Sequence, residues 1–198
     1  NWNVDRGTTP FFCLPVLTVH TEDGRDITLS EAQVVDNFLA KKYDLLGDNE
    51  YESNLINMFY SSSATVQNQF AVTVTWNFAG PEAKKQSLDM FLNRTLSAWI
   101  ESHERHLIDN GSNGHYVGDR LSLADIRTAY AIEHFLVQPE SEVILKKIKE
   151  SAVLYKVYET VAKNPKIAAW RESDEFKKLG EMSRQFFINP MANIPNEP

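Results

Sequence analysis

Few residues in this chain have the type and spacing to do chemistry. The single cysteine, Cys13, is a candidate redox thiol, although a lone cysteine beside a strand more often packs in a core. His103 and His106 stand three apart on one helical stretch. Two imidazoles alone make a poor metal site, so no metal is expected and both are assigned to a solvated face. Ser122 and Asp125 have capping-box spacing, in which each side chain satisfies the other residue's backbone N–H. Pro15 stands directly before the apolar run Val16 to Val19. Proline lacks the N–H a sheet ladder needs, so it belongs at a strand's first residue, at an edge or at a bulge.

These residues need elements to hold them. LPVLTV, the turn signal HTEDG and RDITL read as a β-hairpin. Val34, Val35, Phe38 and Leu39 recur at helical spacing after it, with Ser30 as the expected N-cap. Past Gly47 only helical patterns follow. Asp48 and Asn49 can cap a long segment through AVTVTW, assigned to helix although its β-branched residues locally favour strand. Pro81 suits the first turn of the next helix, whose apolar face runs from Leu88 to Ile100. A periodic segment runs from Ser141 to Ala162, KIAAWRES makes a short last helix, and the tail GEMSRQFFINPMANIPNEP is expected to be extended. The reading is α+β, mostly α: a β-hairpin plus helix over residues 1–46, then an all-helical domain over 47–198.

Composition limits the function classes. At 198 residues, 42% apolar and 24% charged, the chain suits a globular protein with a real core. Net charge is −7 and the pI about 5.3, which argues against a nucleic-acid binder. No apolar window is long enough to span a membrane, and no signal peptide is visible. One cysteine allows no intrachain disulfide, in keeping with a reducing, cytoplasmic setting. The triplets at Asn93 and Asn110 are taken as chance glycosylation matches. The chain opens without methionine, so upstream sequence is expected.

GDRLSLADI (118 to 126) resembles the capping-box signature of the helical domain of cytosolic glutathione transferases. TTPFFCLPVLTV with LSEAQVVDNFLAKKYDLLG resembles the second half of their thioredoxin-like domain, in a sigma-, mu- or pi-like pattern, and NPKIAAWRES their last conserved helix. The resemblance implies a truncated thioredoxin-like unit packed on a five- or six-helix domain, with glutathione as co-substrate and no metal. It implies a cis bond before Pro15, a state found in ~5% of X-Pro bonds in folded proteins. The Leu14 backbone would then pair with the cysteinyl part of glutathione. Trp2 and Arg6 fall on the family's Trp and Lys at the glycine carboxylate, and both are suitable donors. Glu31 falls where the γ-glutamyl ammonium is met.

Three departures stand out. Ala32 occupies a position normally held by Ser, which takes the γ-glutamyl carboxylate. Cys13 replaces a Gln, and Thr65 falls near an acid normally supplied by the facing subunit. The residue that activates the thiol is not assigned to any position here. Phe11 falls on an aromatic key that inserts into a partner subunit, which implies a homodimer. A hydrophobic electrophile is expected near Phe59 and Tyr60, covered by Phe186 and Phe187. The function implied is conjugation of glutathione to small electrophiles. The alternative is a non-catalytic structural, storage or interaction protein of the same fold.

Overall fold

The structure is a computed structural model that describes residues 6–188. Trp2 lies outside the described residues, and of Arg6 the backbone is described, at the start of a short 3-10 turn, Arg6–Thr8. Strands β1 (Val16–His20) and β2 (Asp26–Ser30) pair antiparallel, with Val16 opposite Ser30 and His20 opposite Asp26. The Thr21 hydroxyl and backbone close the connecting turn onto Arg25. Helix α1 (Ala32–Lys42) follows and buries Val35 and Ala40. Its N-cap is Glu31, not the expected Ser30. Ser30 is the last residue of β2 and its hydroxyl donates back to the Pro15 carbonyl at 3.5 Å. The ladder therefore holds Ser30 extended, and the chain turns into the helix one residue later.

Helix α2 (Glu50–Phe70) starts at Asn49, whose side chain accepts from the Glu52 N–H. It continues through Ala71–Thr75 as a π-helical segment. The β-branched AVTVT run is therefore helical, as expected. Its Val74 is fully buried, so tertiary packing overrides local strand preference. After Gly80, α3 (Pro81–Met90) passes through a second π segment (Phe91–Leu96) into α4 (Ser97–Asp109). Helix α5 (Leu123–Leu136) has the expected capping box. It packs along α2, joined by the buried pair Ser63 Oγ and Thr128 Oγ1 at 2.8 Å. Phe70, Phe91 and Phe135 meet edge-to-face at centroid distances of 5.0, 5.4 and 6.0 Å, at the centre of the helical core.

The remaining chain departs from the sequence expectation. The segment from Ser141 to Ala162 is two helices, α6 (Ser141–Ile148) and α7 (Ala152–Ala162). Ser151 caps the second through the Leu154 N–H, a local signal that the continuous apolar period conceals. Helix α8 (Pro165–Glu172) is not the last. Of the tail expected to be extended, residues 180–188 instead lie in α9 (Asp174–Ile188), whose first turn is capped by the Ser173 hydroxyl on the Phe176 N–H, and residues 189–198 lie outside the described residues. Phe176, Leu179, Phe186 and Phe187 recur at helical spacing. Gly180 and the prolines further on mask that period. Counting the π-joined α3 and α4 as one rod, seven helices follow Gly47 among the described residues, against five or six expected.

Candidate functional site

The hairpin delivers Leu14 and Pro15 to the edge of the helical body. The Leu14–Pro15 peptide bond is cis. Leu14 is exposed, and its backbone makes no hydrogen bond to another described residue. Next to it, Cys13 is half-buried rather than in the core, and its Sγ donates to Glu31 Oε1 at 3.9 Å. That contact brings the Cys13–Pro15 turn up to the N-terminus of α1.

Glu31 has φ 72° and ψ 124°, a backbone conformation L-residues rarely adopt. Its carbonyl accepts from both the Val34 and Val35 N–H groups at 3.0 Å. The N–H groups of Ala32 and Gln33 have no partner among the described residues. Unpaired N–H groups at a helix N-terminus carry partial positive charge and suit a carboxylate.

A cleft of ≈ 610 Å³ opens beside this point. Glu31, Ala32 and Asp36 of α1 line one side, Tyr60 and Gln67 of α2 the floor, and Arg127 of α5 the far wall. Tyr60 Oη donates to Asp36 Oδ2 at 2.6 Å, which ties α1 to the long helix. Burial, and then this carboxylate, raise the Tyr60 phenol above its ordinary range, so it stays protonated and donates. The Arg127 guanidinium lies over the Tyr60 and Tyr130 rings, 5.4 and 5.0 Å from their centroids.

Several expected positions move. Tyr60 lines the cleft, but Phe59 faces the core and stacks on Tyr116 at 4.4 Å, because successive helix positions point about 100° apart. Phe186 meets Trp76 at 5.7 Å and Phe187 meets His134 at 5.2 Å, so both pack at the far end of α2 and α5 and line no part of the cleft. His103 is buried, not solvated: its Nε2 lies 2.8 Å from Ser62 Oγ and its Nδ1 bonds Tyr116 Oη. Burial, with a smaller push from His106, lowers its pKa to about 3, so it is a neutral core histidine. His106 is exposed. Thr65 is exposed and bonds the Ser61 carbonyl. Phe11 is 62% exposed, so it is not core packing.

Asp36, Gln67 and Arg127 were not singled out in the sequence. Arg127 did carry a signal, a charge between Leu123 and Tyr130 at helical spacing on one face. Among the described residues no group of three or more His, Cys, Asp or Glu could hold a metal ion, and no helix is long and apolar enough to cross a membrane.

The helical part decides the family. A family model described as "Glutathione S-transferase, C-terminal domain" matches residues 66–174, more than half of the chain. The chain belongs to the glutathione S-transferase family. It is 25% identical over 134 residues to the class-mu 28 kDa isozyme of Schistosoma japonicum, covering 68% of this chain and 63% of that one. It is 25% identical over 170 residues to S-crystallin SL11 of Nototodarus sloanii, covering 85% and 77%. The chain spans 63%, 52% and 45% of the glutathione S-transferases it matches from Schistosoma japonicum, Plasmodium falciparum and mouse. A monomeric glutathione S-transferase from Necator americanus superposes with a TM-score of 0.72 at 24% identity, covering 87% of this chain and 80% of that one. The pi-class enzyme of Onchocerca volvulus gives 0.71 at 19%, covering 90% and 78%. These structural likenesses establish the fold: a hairpin and helix joined to the helical glutathione S-transferase domain.

Proposed function

We propose that the protein is a glutathione transferase that adds the glutathione thiolate to small hydrophobic electrophiles in the cytoplasm. Residues 1–46 are the part of the thioredoxin-like domain that holds the tripeptide, and residues 47–198 the helical domain that holds the electrophile. Leu14 pairs through its backbone with the cysteinyl unit, beside Pro15. Trp2 and Arg6 take the glycine carboxylate. Glu31 takes the γ-glutamyl ammonium, and the N–H groups of Ala32 and Gln33 take its carboxylate. The sulfur then lies at the mouth of the cleft, where it attacks an electrophile held against Tyr60. Its electron pair forms the new C–S bond as the electrophile's bond to a leaving group, or the π bond of an activated alkene, breaks and carries a pair away from that carbon. The thiol proton goes to solvent, to the departing group or to the opened π system. Rate enhancement in such a site comes from proximity and from favouring the thiolate.

One observation carries this reading: the exposed Leu14 backbone, with no hydrogen-bond partner among the described residues, is held beside the unpaired N–H groups that open α1. Those are the complementary groups for an extended peptide with an acidic end. Retention on immobilised glutathione, with elution by free glutathione, tests it. Passage straight through the column would sink it.

Ala32 and the S-crystallin relative favour a second reading, a non-catalytic protein of this fold. Retention without conjugation of a small electrophile would support that one. We also propose a homodimer, supported by the exposed Phe11 and Phe12. Sedimentation showing only a 22.6 kDa species would exclude it.

A further inference from the structure

The loop between α4 and α5 holds two asparagine–glycine steps, Asn110-Gly111 and Asn113-Gly114. Such a step is open to attack from within the chain, because glycine puts no Cβ between its own backbone nitrogen and the preceding side-chain amide. The fold treats the two steps differently. The Gly111 N–H is spent on the Ile108 carbonyl at 2.9 Å, in the turn that ends α4. The Asn110 amide nitrogen, which would be the leaving group, donates to two carbonyls, His115 at 2.9 Å and Gly118 at 2.8 Å.

Asn113 is exposed, and the Gly114 N–H has no hydrogen-bond partner among the described residues. The Asn113 side-chain oxygen accepts from the His115 N–H at 2.9 Å, which folds the amide back over the Gly114 peptide. That N–H also faces the oxygen on which negative charge gathers during attack at the amide carbon. The Asn113 amide nitrogen donates to one carbonyl, Gly118 at 2.8 Å. The glycine is required by the fold: Gly114 has φ 95°, and a Cβ there would lie 2.4 Å from Thr160 Oγ1.

We infer that Asn113 is a site of spontaneous deamidation in the folded protein and that Asn110 is protected. Gly114 N gives its proton to hydroxide, and its electron pair forms a bond to Asn113 Cγ. The Cγ–Nδ2 bond then breaks, and Nδ2 takes a proton from water and leaves as ammonia. Water opens the resulting succinimide at either carbonyl, giving aspartate or isoaspartate. One water is consumed and one ammonia released, and nothing is oxidised or reduced. The new carboxylate cannot donate to the Gly118 carbonyl, so the loop loses a tie just before the Ser122 capping box. This modification belongs to the helical domain and stands whether or not the protein binds glutathione.

The unaltered protein tests it, held in mildly alkaline buffer both folded and in guanidinium chloride. The tryptic peptide 106–120 carries both asparagines, and its fragmentation assigns the amide-to-acid mass gain to one or the other. In the folded sample Asn113 should convert at least about tenfold faster, since Asn110 must first give up the Gly111 bond and its second amide bond. In denaturant the two rates should fall within about threefold of each other, because those bonds are gone. Comparable rates in the folded sample, a lead for Asn110, or no conversion of either would overturn the inference. A lead for Asn113 that is just as large in denaturant would overturn it too, by assigning the lead to local sequence.

Discussion

Tyr60 on the long helix donates its phenol to Asp36 on α1 across 2.6 Å, joining the hairpin-and-helix unit to the helical domain at the cleft floor. Tyr60 is 3% exposed, so its hydroxyl has little access to water in place of that carboxylate. Tyr60→Phe should lower the unfolding free energy by about 1–2 kcal/mol, read from the urea midpoint. No change would show that Asp36 is satisfied elsewhere.

Glu31 is held at φ 72° although it carries a side chain. The surroundings sustain this strain, and strain of this kind gathers at ligand sites. Glu31→Gly removes the Cβ clash. The melting temperature should hold or rise while retention on glutathione is lost. A loss of stability above about 1 kcal/mol would make Glu31 a structural residue instead.

In the proposed site, Ala32 leaves the γ-glutamyl carboxylate to backbone N–H groups alone. Ala32→Ser adds one hydroxyl donor at the same place. Glutathione should bind roughly fivefold tighter, about 1 kcal/mol, by titration calorimetry. An unchanged Kd would remove residue 32 from the site.

The Asp125 carboxylate is fully buried and accepts from the Ser122 N–H and hydroxyl and from the Tyr116 N–H. It also bonds His115, whose pKa it raises. Ser122→Ala should cost about 1 kcal/mol. Asp125→Ala should cost about 3 kcal/mol or more, because it strands several buried donors at once. Equal urea midpoints for the two variants would contradict this network.

His103 gives the fold an acid-sensitive element. The unfolded chain takes a proton near its ordinary pKa of about 6.5, whereas the buried imidazole does not until about pH 3. The unfolded state therefore binds more protons between these values, and stability falls as pH drops through that window. His134, lowered by burial to about 4, acts in the same direction. His103→Gln should reduce the loss of stability between neutral pH and about pH 4 without abolishing it. An unchanged slope would mean that His103 is protonated in the fold.

The sequence by itself determined the local elements whose signals are short in range. The capping box at Ser122 and Asp125, the Asn49 cap, Pro81 in a first turn and the hairpin around Thr21 each depend on neighbours within a few residues. It also carried the family resemblance, because those signals occur in the family's order. Helix α9 was hidden because its capping serine is ordinary and a glycine interrupts its period. Tertiary structure alone decided which residues share a site. His103 and His106 look alike in sequence, yet helix rotation buries one against Ser62 and Tyr116 and leaves the other in water. Asp36, Tyr60 and Arg127 come from three helices far apart in the chain, and no local pattern encodes their meeting. Their side chains converge only when α1, α2 and α5 pack, because each lies on a different helix and only tertiary contacts bring the three faces together.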